Sequence, residues 1–203
     1  SEVTPYAHPM LESLAATDGE RTLLIVRERA SGRPPTAPSP RRVTPGEYDQ
    51  ALQAATRWPL DYVLIETTPR APARISAGAA RTTPLYLAHR DGVLHGSWDM
   101  ADLRPFAGAL SPREAARLLI YRPRYSTETL FTGIRRLTER AVATFGGDLD
   151  IRYPEPALHA APRELTDGAD VLDAFRDAID TALDSRPWDE QTTVFHLTGG
   201  FDS

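Results

Sequence analysis

The segment Thr198–Ser203 reads Thr-Gly-Gly-Phe-Asp-Ser, and its residue types and spacing fit a chemical task. Adjacent glycines let backbone N–H groups approach an anion closely, and the hydroxyls of Thr198 and Ser203 are further hydrogen-bond donors. Asp202 supplies a carboxylate of the kind that holds Mg²⁺ beside phosphates. The segment therefore predicts a phosphate-binding loop. The alternative is an ordinary turn, in which Asp202 is simply solvated.

A strand and a helix would have to position this loop. The run Thr192–Leu197 is short and β-prone, so it predicts a buried strand that leads directly into the glycines. Upstream, apolar residues at helical spacing predict an amphipathic helix over 167–185 that packs on this strand: Val171, Leu172, Phe175, Ile179 and Leu183.

The earlier part of the chain predicts an antiparallel sheet with two helices. Short apolar runs indicate strands at Leu23–Val26, Tyr62–Glu66, Ala73–Ala77, Leu85–Ala88 and Val93–Ser97, the last two joined by a tight Asp91-Gly92 turn. Helices are expected to begin after Thr44 and Ser111, because each is followed by proline and, three residues on, by glutamate. A further hairpin over 141–153 would close at Gly146-Gly147, and a linker rich in Ala, Pro and His follows at 157–162.

Composition narrows the class of protein. The 203 residues carry a formal net charge of −5, which argues against a dedicated nucleic-acid surface. There is no cysteine, so disulfides, thiolate nucleophiles and cysteine metal sites are excluded. No apolar run approaches a membrane span and no signal-peptide pattern opens the sequence, so a cytoplasmic location is expected. The histidines lack metal-ligand spacing and are interpreted as surface or core residues: His8, His89, His95, His159 and His196.

Four segments occur in the order found in one enzyme family. Pro84–Ser97, Thr129–Leu137, Tyr153 and Thr198–Ser203 resemble, in turn, the last hairpin of the N-terminal domain, the connection after it, the tyrosine before the synthetase domain and the SGGxDS pyrophosphate loop. The family is that of asparagine synthetase and its relatives, the β-lactam synthetases and lasso-peptide cyclases. The resemblance covers roughly residues 78–203.

This resemblance implies a fold and a domain division. Residues 1–156 would form a degenerate glutamine-amidotransferase-like α+β domain, an antiparallel sheet sandwich like that of the N-terminal-nucleophile hydrolases. Residues 157–165 would be the linker. Residues 166–203 would supply the first helix, strand and loop of an α/β ATP-pyrophosphatase domain of the adenine nucleotide α-hydrolase type.

The resemblance also implies a reaction. ATP would activate a carboxylate as its adenylate with release of pyrophosphate, and an amine would then displace AMP to form an amide, as in peptide macrocyclisation or specialised-metabolite synthesis. Backbone N–H groups and hydroxyls would hold the leaving pyrophosphate, Asp202 would orient Mg²⁺, and Leu197 would lie beneath the nucleotide. The implied ATP-binding residues are Leu197, Thr198, Gly199, Gly200, Phe201, Asp202 and Ser203.

Two departures from the family limit what the resemblance implies. Members that hydrolyse glutamine use an N-terminal cysteine, which this sequence lacks, so glutaminase activity is not expected. Ser1 as a replacement nucleophile stays a minor alternative. The carboxylate substrate pocket and further catalytic positions lie downstream of the loop in the family, so we expect this chain alone to be inactive, with the remaining synthetase domain on the same polypeptide or another chain. A different class of function remains open: a non-catalytic scaffold or substrate-binding subunit that partners a separate synthetase chain.

Overall fold

The computed structural model describes residues 4, 8–31, 40–79, 84–121, 126–155, 168–187, 189, 191, 193 and 194. The chain divides into two compact units, one formed by Ser1–Glu28 with Thr36–Pro162 and the other by Arg29–Pro35 with Arg163–Ser203. The expected linker at 157–165 lies outside the described residues.

The first unit contains ten strands and three helical segments among its described residues. The strands are β1 (Leu11–Thr17), β2 (Thr22–Glu28), β3 (Pro40–Arg42), β4 (Tyr62–Thr68), β5 (Ala71–Ala77), β6 (Leu85–Arg90), β7 (Val93–Ser97), β8 (Arg135–Leu137), β9 (Val142–Phe145) and β10 (Leu149–Arg152). The helical segments are α1 (Pro45–Thr56), a 3-10 helix (Met100–Phe106) and α2 (Pro112–Leu119). The protein is therefore of the α+β class.

Two sheets organise these strands. A seven-stranded sheet has the order β10-β9-β5-β4-β2-β1-β3, and a three-stranded sheet has the order β7-β6-β8. Among these described strands, every pair is antiparallel except β1 with the edge strand β3, which run parallel. The sequence predicted an antiparallel sheet, which holds for the other strand pairs, but the parallel edge strand makes the larger sheet mixed. Pro40 begins the edge strand, a position where its missing N–H costs no internal ladder bond.

An apolar core lies between the two sheets. Alternation along β4 and β5 directs Val63, Ile75 and Ala77 to one face, as expected for half-buried strands. Leu87 of β6 and Leu137 at the end of β8 meet them from the smaller sheet, and both are fully buried.

Helix α1 covers part of the opposite face of the large sheet. Its start follows the predicted capping box: the Glu47 N–H donates to Thr44 Oγ1, and the Thr44 N–H donates to the Glu47 carboxylate at 2.8 Å. The helix buries Tyr48 and Ala55. It contacts β1, β2 and β4, where Leu23 and Leu64 are almost fully buried.

The 3-10 helix covers the outer side of the small sheet. Asp99 accepts a hydrogen bond from the Ala101 N–H at 2.8 Å and begins this helix, which the sequence did not predict. Leu103 packs with Ala88 and Ile134 in a second buried cluster. The first unit is thus layered as helix, large sheet, small sheet and 3-10 helix.

Among the described residues of the second unit, Val171–Asp184 form helix α3. Asp170 caps it by accepting a hydrogen bond from the Asp173 N–H at 2.9 Å. The predicted helix is confirmed, and no residue of α3 is buried. The strand on which it was expected to pack lies mostly outside the described residues. Its apolar side chains are all exposed: Val171, Leu172, Phe175, Ile179 and Leu183.

Candidate functional site

The residues assigned to ATP and Mg²⁺ from the sequence lie outside the described residues: Leu197, Thr198, Gly199, Gly200, Phe201, Asp202 and Ser203. Ser1, the alternative nucleophile, also lies outside them. Of the expected strand at 192–197, Thr193 and Val194 are described, and neither is in a strand. The Thr193 N–H donates to the Asp189 carbonyl at 2.8 Å, and the Asp189 N–H donates to Thr193 Oγ1, as in a turn.

Three of the four family-like segments meet in the first unit. Pro84–Ser97 forms the β6–β7 hairpin, with Asp91 and Gly92 at φ of 52° and 73° as a primed hairpin turn requires. Thr129–Leu137 ends in β8, which pairs antiparallel with β6. The phenol of Tyr153 is hydrogen-bonded to the hydroxyl of Thr138, directly after β8. Segments far apart in the sequence therefore form one hydrogen-bonded assembly.

A cavity of about 320 Å³ opens beside this assembly. The chain segment 128–135 forms much of its wall. Ser111 at the start of α2, His89 on β6 and Leu149 on β10 complete the lining. The cavity thus lies at the junction of the small sheet, one end strand of the large sheet and the cap of α2.

Hydrogen bonds hold the wall segment in place. The Thr129 hydroxyl shares its proton between the carbonyl oxygens of Phe131 and Ile134, at 2.9 and 3.0 Å, and accepts from the Phe131 N–H. The Thr132 hydroxyl donates to the Ala109 carbonyl at 3.2 Å. Gly133 has a φ of 87°, and a Cβ there would lie 2.6 Å from the Phe106 carbonyl oxygen. Only glycine fits this turn without strain.

The charged side chains around the cavity differ in whether they form ion pairs. The Glu128 carboxylate forms an ion pair with the Arg113 guanidinium. Glu114, one turn into α2, pairs with Arg117 and lies 3.4 Å from Arg113. Arg135 also lines the cavity, and within the part of the chain that the structure describes its guanidinium has no ion pair. The lining therefore carries one positive charge that has no ion pair among the described residues.

The groups with shifted pKa values lie away from the cavity, next to α1. A hydrogen bond from the Arg21 backbone N–H lowers the pKa of Asp18, and the Asp18 carboxylate in turn raises the pKa of Arg21. A hydrogen bond from the Thr44 N–H lowers the pKa of Glu47. Burial raises the pKa of the Tyr48 and Tyr62 phenols. These shifts accompany capping and packing and do not mark a reactive group.

No cluster of three or more His, Asp or Glu side chains that could bind a metal ion occurs among the described residues. Asp202, the predicted Mg²⁺ ligand, is outside that set. Among the same described residues, no helix is both long and apolar enough to cross a bilayer.

Comparisons with known proteins do not identify relatives: no family profile, curated protein or solved structure matches the chain.

Sequence reasoning did not single out the cavity. It quoted Thr129–Leu137 as a family-like segment, but did not propose that Phe131, Ile134 and Arg135 line a site. The signal available was the combination of a glycine, four apolar side chains and two arginines within that short segment. His89, which was interpreted as a surface or core residue, lines the cavity with its ring 5.8 Å from that of Phe145.

Proposed function

We propose that the chain is the N-terminal part of an ATP-dependent, amide-bond-forming enzyme of the asparagine synthetase type that lacks glutaminase activity. Its substrates would be a carboxylate, of a peptide or a specialised metabolite, and an amine. The observation that carries the proposal is the ordered set of four family-like segments in the sequence. The hydrogen bonds that join Pro84–Ser97, Thr129–Leu137 and Tyr153 support it, because segments of one domain should be neighbours in space.

In this proposal the chain's own contribution is electrostatic. A carboxylate oxygen attacks the α-phosphorus of ATP, the bond to the bridging oxygen breaks, and pyrophosphate leaves with the negative charge that develops. Backbone N–H groups of Gly199, Gly200 and Phe201, with the hydroxyls of Thr198 and Ser203, would stabilise that charge. Asp202 is the residue assigned to Mg²⁺, and a single carboxylate next to phosphate oxygens suits this ion. The amine then displaces AMP.

The first unit would act as a structural domain. This sequence has no cysteine thiol to release ammonia from glutamine, so in this proposal the nitrogen comes from an amine substrate. In this proposal the first unit retains the sheet sandwich of an amidotransferase domain but lacks its cysteine nucleophile.

Binding of a fluorescent ATP analogue, methylanthraniloyl-ATP with Mg²⁺, tests the proposal on the full-length protein. Asp202→Asn should weaken binding at least tenfold, because a metal-bridging carboxylate is lost. Asp184→Asn, a matched change at an exposed residue of α3, should leave binding unaltered. ATP–pyrophosphate exchange with added carboxylates should be lost in the Asp202 variant. Equal nucleotide affinity of Asp202→Asn and wild type, with no exchange in either, would contradict the proposal.

A second candidate is a non-catalytic scaffold subunit that partners a separate synthetase chain. The exposed apolar side chains of α3 favour it, since contiguous exposed apolar surface commonly marks an interaction site. This candidate predicts that the full-length protein binds no nucleotide by itself.

A further inference from the structure

We propose that the cavity lined by the segment 128–135 binds a small carboxylate that carries an apolar group, of the size of one or two amino-acid residues. This site belongs to the first unit, needs none of the residues assigned to ATP, and so stands independently of the amide-forming activity proposed above.

The volume sets the size of the ligand. At about 320 Å³ the cavity lies at the lower end of the range for small-molecule sites. An amino acid or a dipeptide end fits a cavity of this volume. The ligand class is thus restricted to small molecules or to the end of a longer chain.

The lining provides an apolar wall. Phe131 and Leu149, which are partly exposed, line it from two separated parts of the sequence, and Ile134 also belongs to the lining. Ile134 is fully buried in the cluster with Ala88 and Leu103, which fixes the wall segment against the small sheet. Burying an aliphatic group of a ligand against this wall is favourable at about 25 cal/mol per Å² of apolar surface.

The charge balance selects an anion. Glu128 is already engaged by Arg113, so it offers no free negative charge to a cationic ligand. Arg135 is the arginine of the lining, and it has no ion pair among the described residues. A guanidinium donates two parallel hydrogen bonds to a carboxylate, which gives both affinity and orientation. A single unpaired guanidinium balances one negative charge, which favours a carboxylate over a phosphate dianion.

A hydroxyl proton complements the guanidinium. The hydroxyl protons of Thr129 and Thr132 are donated to backbone carbonyl oxygens. Ser111 differs, because its Oγ accepts a hydrogen bond from the Glu114 N–H and, within the described chain, its proton has no acceptor. Ser111 and Arg135 thus form a polar part of the lining that can donate hydrogen bonds to a carboxylate. The wall described above is apolar and would contact the rest of the ligand.

The probe for the test is N-acetyl-L-leucine, which joins one carboxylate to one aliphatic side chain, and its neutral partner is N-acetyl-L-leucinamide. Binding to the full-length protein is measured in the absence of ATP. The methods are isothermal titration calorimetry and changes in the NMR spectrum of the backbone amides. We expect saturable binding of the acid and at least tenfold weaker binding of the amide.

Two variants and a control separate the charge from the apolar wall. Arg135→Gln should weaken binding of the acid at least tenfold and abolish its preference over the amide, while Arg135→Lys should retain part of that preference. Phe131→Ala should weaken the acid and the amide alike, by severalfold. Arg70→Gln, at a side chain 85 % exposed in the β4–β5 turn, should bind like wild type.

Several outcomes would overturn the proposal. These are equal binding of the acid and the amide, wild-type affinity in Arg135→Gln, or no binding of the acid to wild type up to about 10 mM, beyond the millimolar affinities of weak specific sites. Arg135 is exposed, so its substitution leaves the core unchanged and the result does not depend on the fate of Phe131→Ala.

Discussion

Helices α1 and α3 begin with similar caps but differ in the burial of their side chains. Each begins with a side chain that caps the first turn, Thr44 in α1 and Asp170 in α3. Helix α1 buries Tyr48 and Ala55, whereas α3 buries no residue although its apolar side chains recur at helical spacing. Local sequence therefore determines that both segments are helical. Burial depends on a complementary surface, which the large sheet provides for α1.

The first prediction sharpens this contrast with core side chains. Leu87→Ala should lower the free energy of unfolding by about 3 kcal/mol, because it removes a fully buried side chain and leaves a cavity between the sheets. Leu172→Ala, at a side chain 76 % exposed on α3, should change it by less than about 0.5 kcal/mol. Urea unfolding monitored by tryptophan fluorescence measures both values. A comparable loss in Leu172→Ala would show that the apolar residues of α3 are covered.

The second prediction concerns the cavity wall in the packed unit. Gly133→Ala should cost about 2 kcal/mol, because alanine is strained at a φ of 87° and its Cβ would meet the Phe106 carbonyl oxygen. Gly92→Ala is the control, since its φ is 73° but no atom lies within 4 Å of the added Cβ. It should cost about 1 kcal/mol, the conformational part alone. Thermal unfolding distinguishes the two, and equal costs would mean that the segment moves to relieve the contact.

The third prediction compares the two caps directly. Thr44→Ala removes the side-chain oxygen that accepts a hydrogen bond from the Glu47 N–H, and it should lower the free energy of unfolding by about 1 kcal/mol. Asp170→Ala should instead reduce helical circular dichroism, since a helix that buries no residue depends on its own caps and propensity. Cooperative destabilisation by Asp170→Ala would indicate that α3 is as firmly packed as α1.

The smallest expected effect is a pH dependence near α1. Because the pKa of Asp18 is lowered in the folded protein, its contribution to stability is present above its ordinary pKa of 3.8 and is lost as the pH falls through the lowered value. Asp18→Asn should therefore reduce the loss of stability between about pH 5 and pH 2. Asp148→Asn, in the exposed β9–β10 turn, is the control for charge removal. Identical acid unfolding of Asp18→Asn and wild type would contradict the assignment.

Much of the fold was predictable where one local signal dominates. The capping box at Thr44–Glu47 and the Asp91-Gly92 turn were both predicted, because these residues select their conformations without help from distant parts of the chain. Strand β1 was missed. Its sequence Leu-Glu-Ser-Leu-Ala-Ala-Thr lacks a β-branched run, and it is extended because β2 and β3 pair with it.

The candidate cavity was not predictable either, because contacts between distant parts of the chain form it. Arg135 and Phe131 are close in sequence, but Ser111, His89 and Leu149 reach the site only through the pairing of β8 with β6 and the packing of two sheets. A single sequence carries no direct record of such long-range contacts. The 3-10 helix at Met100–Phe106 was missed because its apolar residues are too few to show a period.

The pairing of β5 with β9 has a consequence for how the protein folds. Ser76 of β5 pairs with Val142 of β9. The large sheet is therefore complete only after β5 has paired with a strand that lies much later in the sequence. Until β9 arrives, one edge of β5 exposes unpaired N–H and C=O groups that can recruit other chains. Such non-local closure is entropically slow. Refolding yield should therefore fall with rising protein concentration, and a nascent chain that stalls before β9 should be prone to aggregate.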